Sequence, residues 1–221
     1  MRYDVGRDLS WSAKAFLDLV WPRIAPWLRG GELVPVESAT AASLQATFDT
    51  LAGIDAWHLC HEQRAMRGIA SRIQTTADGY EPYNTFTIRY KRSSGAETEF
   101  SKRLAAIRDR EGGWLYPHLT CQAYIDQRKE RLLSCAVVRT EHLYVYADEW
   151  LDHGGEQAYI KANGADANEF IVVKWSSLRA DGVGVKTYTS PTVMGVPRLI
   201  LTRQEPDLMA DATLFVQGSF A

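Results

Sequence analysis

The stretch from Gly53 to Arg92 constrains this chain more than any other. It contains three extended segments in close succession: Gly53 to Leu59, Arg67 to Gln74 and Thr85 to Arg92. The first carries Asp55, the second Arg72 and Gln74 two residues apart, and the third Arg89 and Lys91 two residues apart. Side chains two apart on a strand share a face. Pairing of the three strands would therefore collect Asp55, Arg72, Gln74, Arg89 and Lys91 on one side of a sheet. An acid among cations and an amide suits either a metal-dependent phosphodiester site or a surface ion-pair cluster.

The charge distribution follows this stretch. Residues 1–63 carry 5 Lys/Arg against 8 Asp/Glu, residues 64–110 carry 10 against 5, and residues 111–221 carry 10 against 14. The formal net charge of −2 gives no global argument for a polyanionic partner, but the basic middle segment gives a local one. Arginines pairing with neighbouring acids would be the plain alternative.

Hydrophobic periodicity outlines the other elements. Leu9 to Trp21 reads as a helix with Ser10 as N-cap and Ala13, Phe16, Leu17 and Val20 at helical spacing, to be ended or kinked by Pro22. Lys14, Asp18 and Arg23 interrupt its apolar residues, so it is read as core and not as a membrane segment. A strand is expected over Glu32 to Val36, and a loop or short helix over Ser38 to Thr50. An amphipathic helix is expected over Glu97 to Arg110, with Phe100, Leu104 and Ile107 inward. Later strands are expected at Leu119 to Ile125, Leu132 to Val138, Phe170 to Trp175, Val183 to Tyr188 and Arg198 to Thr202, with helices at Glu141 to Leu151 and Ser176 to Ala180. Gly154-Gly155 and Asn163-Gly164 mark loops. No repeat or low-complexity linker divides the chain. The expected fold class is α/β (α+β): a single domain over residues 1–221 with a central mixed β-sheet flanked by helices, the part from about residue 150 onward extending the same domain.

Several chemistries lack their residues. There is no Gly-x-Gly-x-x-Gly after a strand, no Walker-type Gly-Lys-Ser/Thr and no Gly-x-Ser-x-Gly elbow. Cys60, Cys121 and Cys135 sit in apolar surroundings and read as small hydrophobes in a reducing, cytoplasmic setting. His58-x-Cys60-His61 has no second ligand pair at zinc-like spacing. Neither a signal peptide nor a membrane span is visible. Tyr80, Tyr83, Phe86 and Tyr90 interleave with the basic residues, as in a base-stacking surface or in a strand that is half core.

The order helix, strand, acid-bearing strand, two polar strands, helix, strand resembles the PD-(D/E)XK restriction-endonuclease-like superfamily. Gly53-Ile54-Asp55 matches its motif acid. The resemblance implies a restriction-endonuclease-like fold and a nucleic-acid substrate, DNA first. It also implies an Mg²⁺ ion held by Asp55 and Glu37, with Asp49 as a third acid, and catalytic roles for Asp55, Arg72, Gln74 and Lys91. Arg72, Arg89, Lys91, Arg92, Lys102 and Arg103 would contact the nucleic acid. The second motif departs from the family: with Arg72 at the lysine position, Ala70 stands where the acid belongs. Arginine stays protonated and cannot act as a base. Two readings follow, a weak Mg-dependent nuclease or a non-catalytic scaffold that binds nucleic acid or a protein partner, for example as an inhibitor.

Overall fold

The computed structural model describes residues 11–38, 45, 47–76, 84–109, 111–153, 157–163 and 167–190. The expectations for Ser10, Tyr80, Tyr83 and Arg198 to Thr202, and for the Asp49 side chain, lie outside the described residues.

The fold is mixed α/β, with one six-stranded sheet, one three-stranded sheet and helices. A helical segment, α1, covers residues 11–28. Of the two expected outcomes at Pro22, an end is not observed: the helical segment continues past it. The chain widens into a π turn at Phe16–Val20, where the Trp21 N–H donates to the Phe16 carbonyl, before Pro22 enters the first turn of the next α segment. A proline ring crowds the carbonyl four residues back in a regular helix, and the wider turn relieves that crowding. Phe16, Val20, Ile24 and Leu28 recur every fourth residue and are all buried.

The large sheet runs in the order β1 (Glu32–Pro35), β2 (Ala56–Cys60), β3 (Ala65–Thr75), β5 (Leu119–Ile125), β6 (Leu132–Arg139) and β9 (Val185–Thr189). Only β3 and β5 pair parallel. Side-chain alternation gives its two faces different partners. Ala56, Ile69, Leu119, Cys121, Ala123 and Val137 face α1 and form one core with its buried stripe. Each fully buried aliphatic side chain there contributes about 1.5–3 kcal/mol relative to exposure. The opposite face bears Tyr124, Ala136 and Val138. It packs against α2 (Glu99–Arg108) and α3 (Thr140–His153) through Phe100, Leu104, Leu143, Tyr144 and Ala147. Helix α2 begins at Thr98, whose side chain forms a capping box with Ser101.

The third of the opening strands, β4 (Thr85–Lys91), does not join this sheet, and this corrects the expectation that the Asp55, Arg72 and Arg89 segments lie side by side. Strand β4 is an edge of a separate antiparallel sheet ordered β4, β8 (Glu169–Lys174), β7 (Ala158–Ala162). Its Phe86 and Ile88 side chains enter the same core as Ile171 and Val173 of β8. Strand β7 has no counterpart among the strands expected from the sequence, because five residues carry little periodic signal. The short helix α4 (Trp175–Ala180) buries Trp175 and Leu178 beneath this sheet.

The polar residues expected to face a ligand partly serve to dock the second sheet. Thr87 lies on the free edge of β4. Its N–H and hydroxyl donate to Gln122 Oε1 at 3.3 and 3.2 Å, its carbonyl accepts from Arg72 at 3.2 Å, and its hydroxyl accepts from Gln74 at 3.5 Å. Arg72 and Gln122 are register partners on β3 and β5, so they reach Thr87 together. Side chains thus replace the missing neighbour strand, which covers the edge. Replacing Gln122 by Leu should leave the Thr87 N–H without its acceptor and lower stability by about 1–3 kcal/mol in urea unfolding. An unchanged midpoint would show that this contact does not hold the edge.

Candidate functional site

The segment just before β2, the middle of β3, the start of β5, strand β4 and the N-terminal turns of α2 line a cavity of about 450 Å³. Five cations line it (Arg72, Arg89, Arg92, Lys102 and Arg103) against three carboxylates (Asp55, Glu97 and Glu99), an excess of two positive charges. Five of the six predicted nucleic-acid contacts therefore converge. The sixth, Lys91, lies outside the cavity lining, and its ammonium is 3.9 Å from Glu169.

Arg103 is the anchor of the group and is buried. It donates to Glu99 Oε1 at 2.6 Å, to the Tyr144 hydroxyl at 2.9 Å and to the Gly53 carbonyl at 2.8 Å. Burial works against its charge, but Tyr144, Glu99 and Asp55 outweigh burial and raise its pKa. Gly53 makes room for this contact. It has φ of +63°, and a Cβ there would stand 2.5 Å from the Arg103 guanidinium. Glu99 also accepts from Tyr144 at 3.0 Å and lies 3.9 Å from Arg72. Burial would favour its protonated form, yet Arg103, Arg72 and the Tyr144 hydroxyl prevail and hold its pKa below the usual value.

Arg72 spans the two sheets. Besides Thr87 and Glu99 it stacks over Phe170, with its guanidinium carbon 5.0 Å from the ring centroid, and Arg89 approaches the same ring at 5.9 Å. Burial lowers the Arg72 pKa, partly offset by Glu99. Arg89 Nε and Gln122 Nε2 are buried without a hydrogen-bond partner among the described residues. Both residues line the cavity, and each carries a donor that is costly to leave unsatisfied.

Asp55 sits just before β2. Its Oδ2 accepts from the Ser71 N–H at 2.5 Å and from the Ser71 hydroxyl at 3.2 Å. Its N–H donates to Ile69 and its carbonyl accepts from Val36, both at 2.9 Å. The carboxylate thus satisfies an N–H left over where β2 begins.

The magnesium expectation rests on Asp55 and Glu37. Both border another cavity, of about 680 Å³, beside α1. Gln74, the expected auxiliary, opens instead onto a third cavity of about 400 Å³. Among the described residues no group of three or more His, Cys, Asp or Glu side chains is placed to hold a metal ion. Two carboxylates, one already engaged by Ser71, do not form a protein cage for a hard cation. Such an ion held by one or two carboxylates depends on substrate phosphate oxygens for the rest of its shell.

Comparison with protein-family models, with curated proteins and with solved structures gave no match. The site is therefore read from its own chemistry.

Other expectations resolve into packing. Phe86 is core, and Tyr90 meets Phe100 edge-on. Burial pushes the Cys135 thiol up to about 12 and Cys121 well above its ordinary value, which suits neither as a nucleophile. His58 hydrogen-bonds the Gly30 carbonyl at 2.7 Å, while His61 is exposed beside Glu32. Among the described residues no helix is long and apolar enough to cross a membrane.

Sequence reasoning missed Glu99, Tyr144, Thr87 and Gln122. For Glu99 a signal existed. Arg103 falls three after Phe100 and four before Ile107, inside the apolar stripe of a predicted helix. An arginine there needs a buried acid, and Glu99 stands four residues earlier.

Proposed function

We propose that this cavity binds the phosphodiester backbone of a nucleic acid, on a scaffold akin to the PD-(D/E)XK pattern. One observation carries the reading: five cations converge on a concave space with two buried donors, Arg89 Nε and Gln122 Nε2, that have no partner among the described residues. Guanidinium groups suit phosphate oxygens, and a cleft with an excess of positive charge attracts anions. Binding is favoured over hydrolysis because the two innermost acids are committed, Asp55 to Ser71 and Glu99 to Arg103 and Tyr144. Ala70, which also lines the cavity, supplies no carboxylate.

The test is retention of labelled DNA by the purified chain over a salt series. We expect log K to fall linearly with log salt, with a slope of about −3 to −4 for four or five phosphate contacts. A flat response would remove the phosphate reading. The same samples incubated with Mg²⁺ or Mn²⁺ should show no cleavage; strand scission abolished by Asp55→Asn would restore the nuclease alternative. A protein partner is the second reading, favoured by Trp114 and Leu115, which are 64% and 52% exposed beside Lys102 and Arg103. Binding of no nucleic acid at low salt would turn attention to that surface.

A further inference from the structure

The three-stranded sheet has two unlike faces. Phe86, Ile88, Ile171, Val173 and Ala158 point into the core. The alternate residues form two rows on the other face, set by the strand register: Thr87, Val172 and Tyr159, then Arg89, Phe170 and Lys161. The second row places an aromatic ring between two cations, and the first ends in Tyr159, which is 40% exposed.

All of these residues but Arg89 border the third cavity, of about 400 Å³, together with Arg72, Gln74 and Asn163. The volume lies within the range of small-ligand sites, about 300–1,000 Å³. Arg72 and Thr87 line both this cavity and the cationic one, so the two spaces meet at these residues. One is rich in positive charge. The other offers the part-exposed Tyr159 ring, the Phe170 ring on which Arg72 already stacks, and two primary amides, each able to donate and accept.

We infer that the nucleic acid recognised here is single-stranded, with its phosphates in the cationic cavity and an unpaired base stacked beside Tyr159 and Phe170. The inference rests on the phosphate-binding reading of the first cavity and adds the class of strand. A base in a duplex must give up its pairing and stacking, at a cost of a few kcal/mol, before it can turn onto a protein ring. An unpaired base turns without that cost, and every base has a face to stack. Gln74 and Asn163 are placed to meet the base edge, and Arg72 joins the two subsites. Charge complementarity commits the surface to this occupant: Arg72, Arg89 and Lys161 surround the rings, and the face has no carboxylate in either row.

Fluorescence anisotropy on the full chain tests this with three probes of equal length: a single-stranded oligonucleotide, the same strand carrying abasic sites, and a duplex. Wild type should bind the single strand about ten-fold more tightly than the abasic strand, since stacking on aromatic rings contributes at that level. Tyr159→Ala should weaken single-strand binding by about ten-fold and leave abasic and duplex binding and the salt slope unchanged. Tyr159→Phe, which keeps the ring, should match wild type and controls for folding of the edge strand. Equal binding of the intact and abasic strands by wild type, or full single-strand affinity in Tyr159→Ala, would overturn the inference while leaving the cationic cavity as a duplex site. Failure of wild type to bind any probe at low salt would remove both readings.

Discussion

Arg103→Met is expected to lower the stability of this protein by about 3–5 kcal/mol, the range found when one partner of a buried ion pair is removed. Arg103 is only 7% exposed and makes three hydrogen bonds, to Glu99, Tyr144 and Gly53. Methionine fills similar space but leaves the Gly53 carbonyl without this donor and Glu99 with the Tyr144 hydroxyl, Arg72 at 3.9 Å and the Arg89 charge to offset its own. Native domains have about 5–15 kcal/mol in hand, so the variant should be close to unfolding at room temperature. Urea denaturation followed by tryptophan fluorescence gives the number. A loss below about 1 kcal/mol would mean that solvent replaces these contacts and the pair is peripheral. Adding Glu99→Leu to Arg103→Met should recover much of the loss, because an apolar pair can replace a buried ionic one.

The same pair sets an acid limit. The folded-state pKa of Glu99 lies below its ordinary value of 4.5. Its contribution is therefore present in full above that ordinary value and is lost as pH falls through the folded value. Glu99→Gln should flatten the stability profile below about pH 4.5 relative to wild type. Parallel profiles in the two proteins would assign the acid sensitivity to other carboxylates.

The second large effect is on binding. Arg89, Arg92 and Lys102 line the cationic cavity, but unlike Arg72 and Arg103 they do not anchor the sheets or the α2 ion pair. Their joint replacement by Ala should remove three phosphate contacts and leave the fold in place. A single strand releases about 0.7 counterion per contact, so at about 50 mM salt three contacts represent about 10²–10³ in affinity relative to about 1 M salt. The variant should bind single-stranded DNA weaker by that factor, with its log–log salt slope shallower by about two. An unchanged slope would place the phosphates elsewhere on the molecule, whatever happened to the affinity at one salt concentration.

Much of this architecture follows from short-range pattern. Alternation predicts the strands from Gly53 to Leu59, Arg67 to Gln74 and Thr85 to Arg92, and they are present as Ala56–Cys60, Ala65–Thr75 and Thr85–Lys91. The stripe Phe100, Leu104, Ile107 predicts α2 and its buried side. Period and spacing suffice there because each element buries its own apolar face, and that face is written locally. The basic central third predicts the cations of the cavity for the same reason, since charge is counted residue by residue.

Local sequence pattern thus suffices for most strands and helices (though not for β7), for the apolar side of each, and for the gathering of positive charge around Asp55. The tertiary structure decided where β4 goes. Its apolar residues pair with Ile171 and Val173, some eighty residues later, and nothing local separates that partner from β3. That choice moves Arg89 onto a second sheet, turns Arg72, Gln74 and Gln122 into clasps on Thr87, and places Phe170 beneath two guanidiniums. It also brings Tyr144 from α3 onto the Glu99–Arg103 pair of α2. Burial and pairing across such distances depend on which faces remain uncovered once the whole chain has collapsed, and only the folded molecule carries that information.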